Sequence, residues 1–217
     1  MIIDNQNRIS LITVLVFTFL FLSRLNVYSA GTISLKLPYK QADSFVVVAG
    51  YNTQPTHINK DSYALDFSKN KCDAYDQPAL SVGDGFVRTI KNESESGGYG
   101  YMIDIDHGNN IISRYAHLIT DSVGVKNGEK IWSGQTLGKI GNTGFVYGES
   151  CPDYPGTHLH FSMYEKQPDG TLASYKPEPI SGYTDLAAGN WYASDNELYN
   201  PRNIADAGGG SLAGRIM

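Results

Sequence analysis

A mainly β fold is what this sequence predicts, on three observations. The composition favours strand and turn formers, with 15 tyrosines and 23 glycines among 217 residues and a richness in valine, isoleucine and asparagine. Short apolar runs follow one another, each bounded by Gly, Asn, Asp or Pro. No long amphipathic helical pattern lies between them.

The runs TISLKLP (32–38) and SFVVVAGY (44–51) open the series. In SYALDFS (62–68), Ala64 and Asp66 share one face of a strand and Leu65 and Phe67 the other, which sets an acid inside a core-forming segment. GFVRTI (85–90), YMIDID (101–106) and IISRYAHL (111–118) come next. The last two form the strongest hairpin signal: Tyr101, Ile103 and Ile105 alternate with Met102, Asp104 and Asp106 before the turn HGNN. TLGKIGN (136–142) precedes HLHFSMY (158–164), in which Leu159 and Phe161 turn toward a core while His158 and His160 leave the other face side by side. After Glu165 the pattern dissolves, and the closing ADAGGGSLAGRIM reads as disordered.

This length suits one cored domain, and no internal repeat is visible. Ile9 to Leu22 is an apolar run of 14 residues, short of the roughly 20 that a spanning helix needs, and the small residues of VYSA suit cleavage after Ser29 or Ala30. Residues 1–30 therefore read as a signal peptide, 31–200 as the domain and 201–217 as a tail. An uncleaved anchor is the alternative. The expected protein is secreted or periplasmic, monomeric, and without stable membrane insertion after signal cleavage. The first thirty residues hold Arg8, Arg24 and Asp4, so the remainder carries 15 basic and 21 acidic side chains. That balance argues against nucleic acid and against docking on an anionic surface.

Cys72 and Cys151 are the two cysteines. Neither belongs to a CxxC, which argues against a thiolate zinc site, and in an oxidising compartment they have one intramolecular pairing, a disulfide; two buried thiols are the alternative.

Histidines stand at 57, 107, 117, 158 and 160, four of them beside strand-like segments or glycine turns. A catalytic zinc takes about three ligands from His, Asp or Glu and leaves a position open, and Asp66 is the natural carboxylate. Any one of these residues alone is better explained as a hydrogen-bonded strand residue. HxH by itself is a weak motif, and HExxH is absent.

Taken in order, His57, Asp66 in ALDFS, His117 in YAHL and the HxH at 158–160, with glycine turns between them, resemble the lysostaphin-type zinc endopeptidases of the LytM family. The likeness runs from about Leu35 to Tyr164. It implies a compact antiparallel β-sheet domain whose groove holds one zinc ion, and a secreted metalloendopeptidase that hydrolyses peptide bonds in bacterial cell-wall peptidoglycan. By the resemblance His57, Asp66 and His160 are the metal ligands, while His117 and His158 are the catalytic pair that flank the attacking water. One of this pair would accept its proton and the other steady the oxyanion, in an order that the sequence leaves open. His107, in DHGN, reads as structural. Asn142, Thr143 and Gly144, with Tyr147, are expected either to rim the groove or to form a plain loop.

Two departures stand out. Eight residues separate His57 from Asp66, more than the tight His-x-x-x-Asp of the lysostaphin branch, and the approach SCPDYPGTHLHFS is more like the beta-lytic branch. Two readings compete with the enzyme. A non-catalytic zinc-binding scaffold of this fold would be expected to lose site residues, and all five are present. A cell-wall-binding regulator would show exposed aromatic platforms rather than paired histidines.

Overall fold

The period-two alternation of SYALDFS and HLHFSMY decides which side chains enter the core. The computed structural model describes residues 34–92, 98–148 and 151–201; the expected signal peptide and, Pro201 apart, the expected tail lie outside the described residues. The strands are β1 (Ser44–Ala49), β2 (Leu65–Ser68), β3 (Pro78–Leu80), β4 (Gly85–Lys91), β5 (Tyr101–Asp106), β6 (Ile111–Leu118), β7 (Lys130–Ile131), β8 (Thr136–Lys139), β9 (Leu159–Lys166), β10 (Leu172–Tyr175) and β11 (Trp191–Ala193). The domain is a mainly antiparallel β fold. Nine strands form one sheet in the order β11-β1-β2-β9-β6-β5-β4-β7 with β10 beside β9, and β3 and β8 form a second.

β9 is the hinge of the layout. One of its edges pairs with β6 throughout; the other pairs first with β2 and then with β10. Leu65 registers with Phe161, Phe161 with Tyr115 and Tyr115 with Ile103, a row of fully buried side chains across four strands. Burying a side chain of this size contributes about 1.5–3 kcal/mol. Ala79 and Leu137 of the small sheet, with Val82 and Ile140, belong to the same core cluster. The Tyr115 hydroxyl, buried there, accepts from Val82 N at 2.9 Å.

One residue along, the side chains point the other way. Asp66 registers with His160 and His160 with Ala116, so the face opposite the core gathers the polar groups. His117 would belong to the core face in a regular strand. The register slips, however: Tyr101 pairs with Leu118 and Ile103 with Tyr115, leaving Ala116 and His117 opposite Met102 alone. This bulge, with His117 at φ +62°, re-aims the imidazole to the polar face.

The structure departs from the sequence expectation at both ends. The run 32–38 forms no strand among its described residues; Leu35 makes an isolated bridge to Ile180, and Leu37 N donates to Ser181 Oγ at 2.8 Å. Between Glu165 and Pro201 the chain adds two strands where the sequence shows no pattern, with β10 pairing β9 and β11 pairing β1. No residue of β10 is fully buried and only Tyr192 of β11 is, so backbone hydrogen bonds define these strands and no apolar alternation announces them.

Candidate active site

Asp66 is the centre of the site. Its Oδ1 lies 2.9 Å from His160 Nδ1, 3.1 Å from His57 Nε2 and 3.6 Å from His158 Nε2. Burial alone would raise its carboxyl, but the imidazoles of His158, His160 and His57 hold it well below the usual carboxylate range. His117 completes the set, its ring centroid 4.6 Å from that of His158 and 5.9 Å from that of His160. All five residues singled out in the sequence thus meet at one place on the polar face.

Local backbone fixes each ring. His57 donates Nδ1–H to Gly50 O at 2.7 Å, His117 to Thr143 O at 2.8 Å and His158 to Gly156 O at 2.7 Å. A carbonyl can only accept, so Nδ1 carries a proton in all three, and in the neutral form of each ring the lone pair is on Nε2. His160 is turned the other way: its Nε2 meets Ser162 Oγ at 2.8 Å and its Nδ1 faces Asp66. Burial pushes His117 well below the ordinary imidazole range, with the neighbouring His158 and His160 acting in the same direction.

Behind His160 stands a support that no motif announced. Asp61, in a 3-10 turn (Asn59–Asp61) between His57 and β2, accepts from the Tyr99 hydroxyl at 2.5 Å and the Tyr164 hydroxyl at 2.6 Å, and lies 3.5 Å from Ser162 Oγ. Asp61, Tyr99, His117, Phe145 and His160 line a cavity of 170 Å³. Ser162 could have been found from its place two residues after His160, on the same face.

The loop of GNTG supports the other side. Thr143, besides holding His117, donates from Oγ1 to Leu118 O and accepts from Tyr101 N, both at 2.8 Å. Gly100 and Gly144, both at positive φ, abut backbone to backbone; a Cβ on Gly100 would stand 2.3 Å from the Thr143 carbonyl. Asn142 donates to Pro155 O at 3.3 Å, while Tyr147 is 61% exposed beside Phe145. Cys72 and Cys151 are disulfide-bonded, with Cα atoms 4.7 Å apart, and Tyr75 stacks on Tyr154 beside them. The bridge ties the loop leading to His158 to the segment after Asp66. His107 lies elsewhere, between Asp84 O and Ser113 Oγ.

One atom in the cluster is unsatisfied. His57 Nε2 is buried without a hydrogen-bond partner, although Asp66 Oδ1 is 3.1 Å away. Burial opposes a charge on His57, yet Asp66 raises its affinity for a proton above the ordinary value. Two acceptor atoms this close need a cation between them, a proton or a metal ion. Ligand atoms of His57, Asp66 and His160 all lie within 4.8 Å of one another, and two imidazoles with a carboxylate are a donor set suited to zinc. The residues fit the metal.

Compared with known proteins, the chain falls among the peptidases. The family model of Peptidase family M23 matches residues 62–171, just over half of the 217, and the chain belongs to that family. It is 37% identical over 86 residues to the peptidoglycan DD-endopeptidase ShyA of Vibrio cholerae serotype O1, covering 40% of this chain and 17% of that protein. It is 27% identical over 150 residues to the L-Ala–D-Glu endopeptidase of Bacillus subtilis, covering 69% and 42%. The chain thus spans less than half the length of these relatives. Among solved structures, the M23 metalloprotease pseudoalterin, from the deep sea, aligns at TM-score 0.48 and 17% identity over 78% of this chain and 100% of the other. The catalytic domain of lysostaphin from Staphylococcus simulans aligns at 0.41 and 20%, over 61% and 88%.

Proposed function

We propose that this chain is an exported zinc metalloendopeptidase that hydrolyses peptide bonds in bacterial cell-wall peptidoglycan. The observation that carries the reading is the convergence of His57, Asp66 and His160 around an imidazole nitrogen with no partner. The peptidoglycan endopeptidase among its relatives supports the substrate class. Export is supported by the apolar run 9–22 and by the disulfide, a bond of oxidising compartments. Among the described residues no helix is long and apolar enough to cross a membrane.

His57 through Nε2, Asp66 through its carboxylate and His160 through Nδ1 would hold the ion. Bound there, zinc supplies Lewis acidity, polarising the scissile carbonyl and acidifying water enough for attack near neutral pH. His117 and His158 do the proton work. Each has Nδ1 committed to a backbone carbonyl, so Nε2 is the nitrogen that takes the proton of the attacking water, returns it to the leaving amine, or donates to the oxyanion. Ser162, backed by Asp61, holds the His160 ring with Nδ1 toward the metal position.

The test is to incubate the purified chain with peptidoglycan, with and without a metal chelator, and identify released fragments by mass spectrometry. Peptide-bond cleavage that a chelator abolishes and zinc restores is expected; full activity in a metal-free preparation would overturn the reading.

A further inference from the structure

The polar face does not stop at the imidazoles. Ser162 registers with Arg114, Arg114 with Asp104 and Asp104 with Thr89, so one row of side chains continues from β9 to β4 on the face that carries His160. Beside this row opens a cavity of 250 Å³, whose lining includes Lys60, Arg88, Lys91, Tyr99, Asp104 and Arg114. Tyr99 also lines the cavity at the imidazoles, so the two cavities adjoin at its ring, and this one is called the basic arm of the site.

Among the described residues, four cations and one carboxylate line this arm, and that carboxylate is already engaged. Asp104 accepts from Arg114 Nε at 2.8 Å and from Nη2 at 2.9 Å, which leaves Nη1 outside the pair. Arg114 is 8% exposed, and its guanidinium lies 4.5 Å from the Tyr99 ring centre and 5.1 Å from that of Tyr164, a rigid mounting for a donor fork. Lys60 Nζ stands 5.0 Å from the centre of the Tyr99 ring. Arg88 and Lys91 are exposed, and neither has an ion-pair partner among the described residues. In a chain of net charge −5, such a concentration of positive charge focuses the local field on an anionic ligand.

We propose that this arm binds a free carboxylate of the peptide substrate, so that the preferred substrate is an anionic peptide, such as a wall stem peptide with unamidated carboxyl groups, rather than an uncharged glycine bridge. The inference rests on the peptidoglycan reading above and names the substrate class within it. Its position next to the imidazole cavity, with Tyr99 lining both, is what selects a carboxylate on the peptide being cut over a separate phosphate polymer.

The test uses the full zinc-loaded chain and peptidoglycan stripped of phosphate polymers, in its native form and after carbodiimide-driven amidation of its carboxyl groups. Initial rates of fragment release are measured for the wild type and for the double variant Arg88→Gln/Lys91→Gln, whose positions are exposed. The wild type should prefer the native wall roughly tenfold at low salt, the scale of a few exposed ion pairs, and the preference should shrink as salt rises. In the double variant the ratio should fall toward one. Equal wild-type rates on both walls, or a variant that keeps the full preference, would overturn the proposal. Cleavage of neither wall by the zinc-loaded wild type would instead overturn the peptidoglycan reading, and this inference with it.

Discussion

His158 and His160 differ in what surrounds their nitrogens. His160 presents Nδ1 to Asp66 while Ser162 occupies Nε2; His158 has Nδ1 tied to Gly156 O and approaches Asp66 only to 3.6 Å. His160→Ala should therefore give a protein poor in zinc and inactive, whereas His158→Ala should keep near-stoichiometric zinc and lose turnover by about 10²–10⁴-fold. Metal analysis beside a hydrolysis assay decides between them, and the inverse pattern would reverse the assignment. Ser162→Ala should weaken zinc binding roughly 10–100-fold, read by competition with a chromophoric chelator; unchanged affinity would mean that packing alone holds the ring. The five residues at the centre were legible through their order along the chain, His57, Asp66, His117, His158 and His160, which carries the family resemblance; each taken alone was not. Asp61, Tyr99 and Phe145 were not, because they reach the site from a turn and from loops placed by strand pairing between residues distant in sequence.

The bulge in β6 and the loop at Thr143 act together to place His117. The bulge turns the ring to the polar face and the Thr143 carbonyl fixes its tautomer, while the close approach of Gly100 keeps that carbonyl in position. Gly100→Ala would place a methyl group against the Thr143 carbonyl at a residue with φ +61°. It should cost about 1–3 kcal/mol of stability, seen in thermal melts, and lower hydrolysis at least tenfold while zinc content stays near that of the parent; a fully active variant would show that the loop yields without consequence. Period-two alternation made the long strands readable, since alternate residues of β1, β5 and β9, such as Phe45 and Val47, Ile103 and Ile105, and Leu159 and Phe161, enter the core cluster. It could not show the bulge, because one extra residue leaves the apolar pattern of IISRYAHL intact. Nor could it show β3, β7, β10 and β11, which at two to four residues are too short to display a period of two.

For the whole domain, the disulfide and the return of the C-terminal segment set stability. Cys72 and Cys151 are 79 positions apart, and closing a loop of that length contributes roughly 4 kcal/mol in the chain-entropy model. The Cys72→Ser/Cys151→Ser double variant should melt about 10 °C lower, and a thiol titration of the unreduced parent should find no free sulfhydryl. The later segment closes the structure from the other side. β11 covers the edge of β1, Asn196 Nδ2 donates to Leu37 O and Ser81 O, and Lys36 pairs with Asp195. Leu35 and Lys40, early in the described chain, bridge to Ile180 and Asn196, near its end. The way in and the way out of the fold are therefore neighbours, and such a unit can be spliced into a host polypeptide at one point without stretching either flank. Joining the ends of the described domain and reopening the ring at Gly170, in the turn between β9 and β10 where a side chain would meet nothing within 4 Å, should therefore give a circular permutant with the parent's circular-dichroism spectrum.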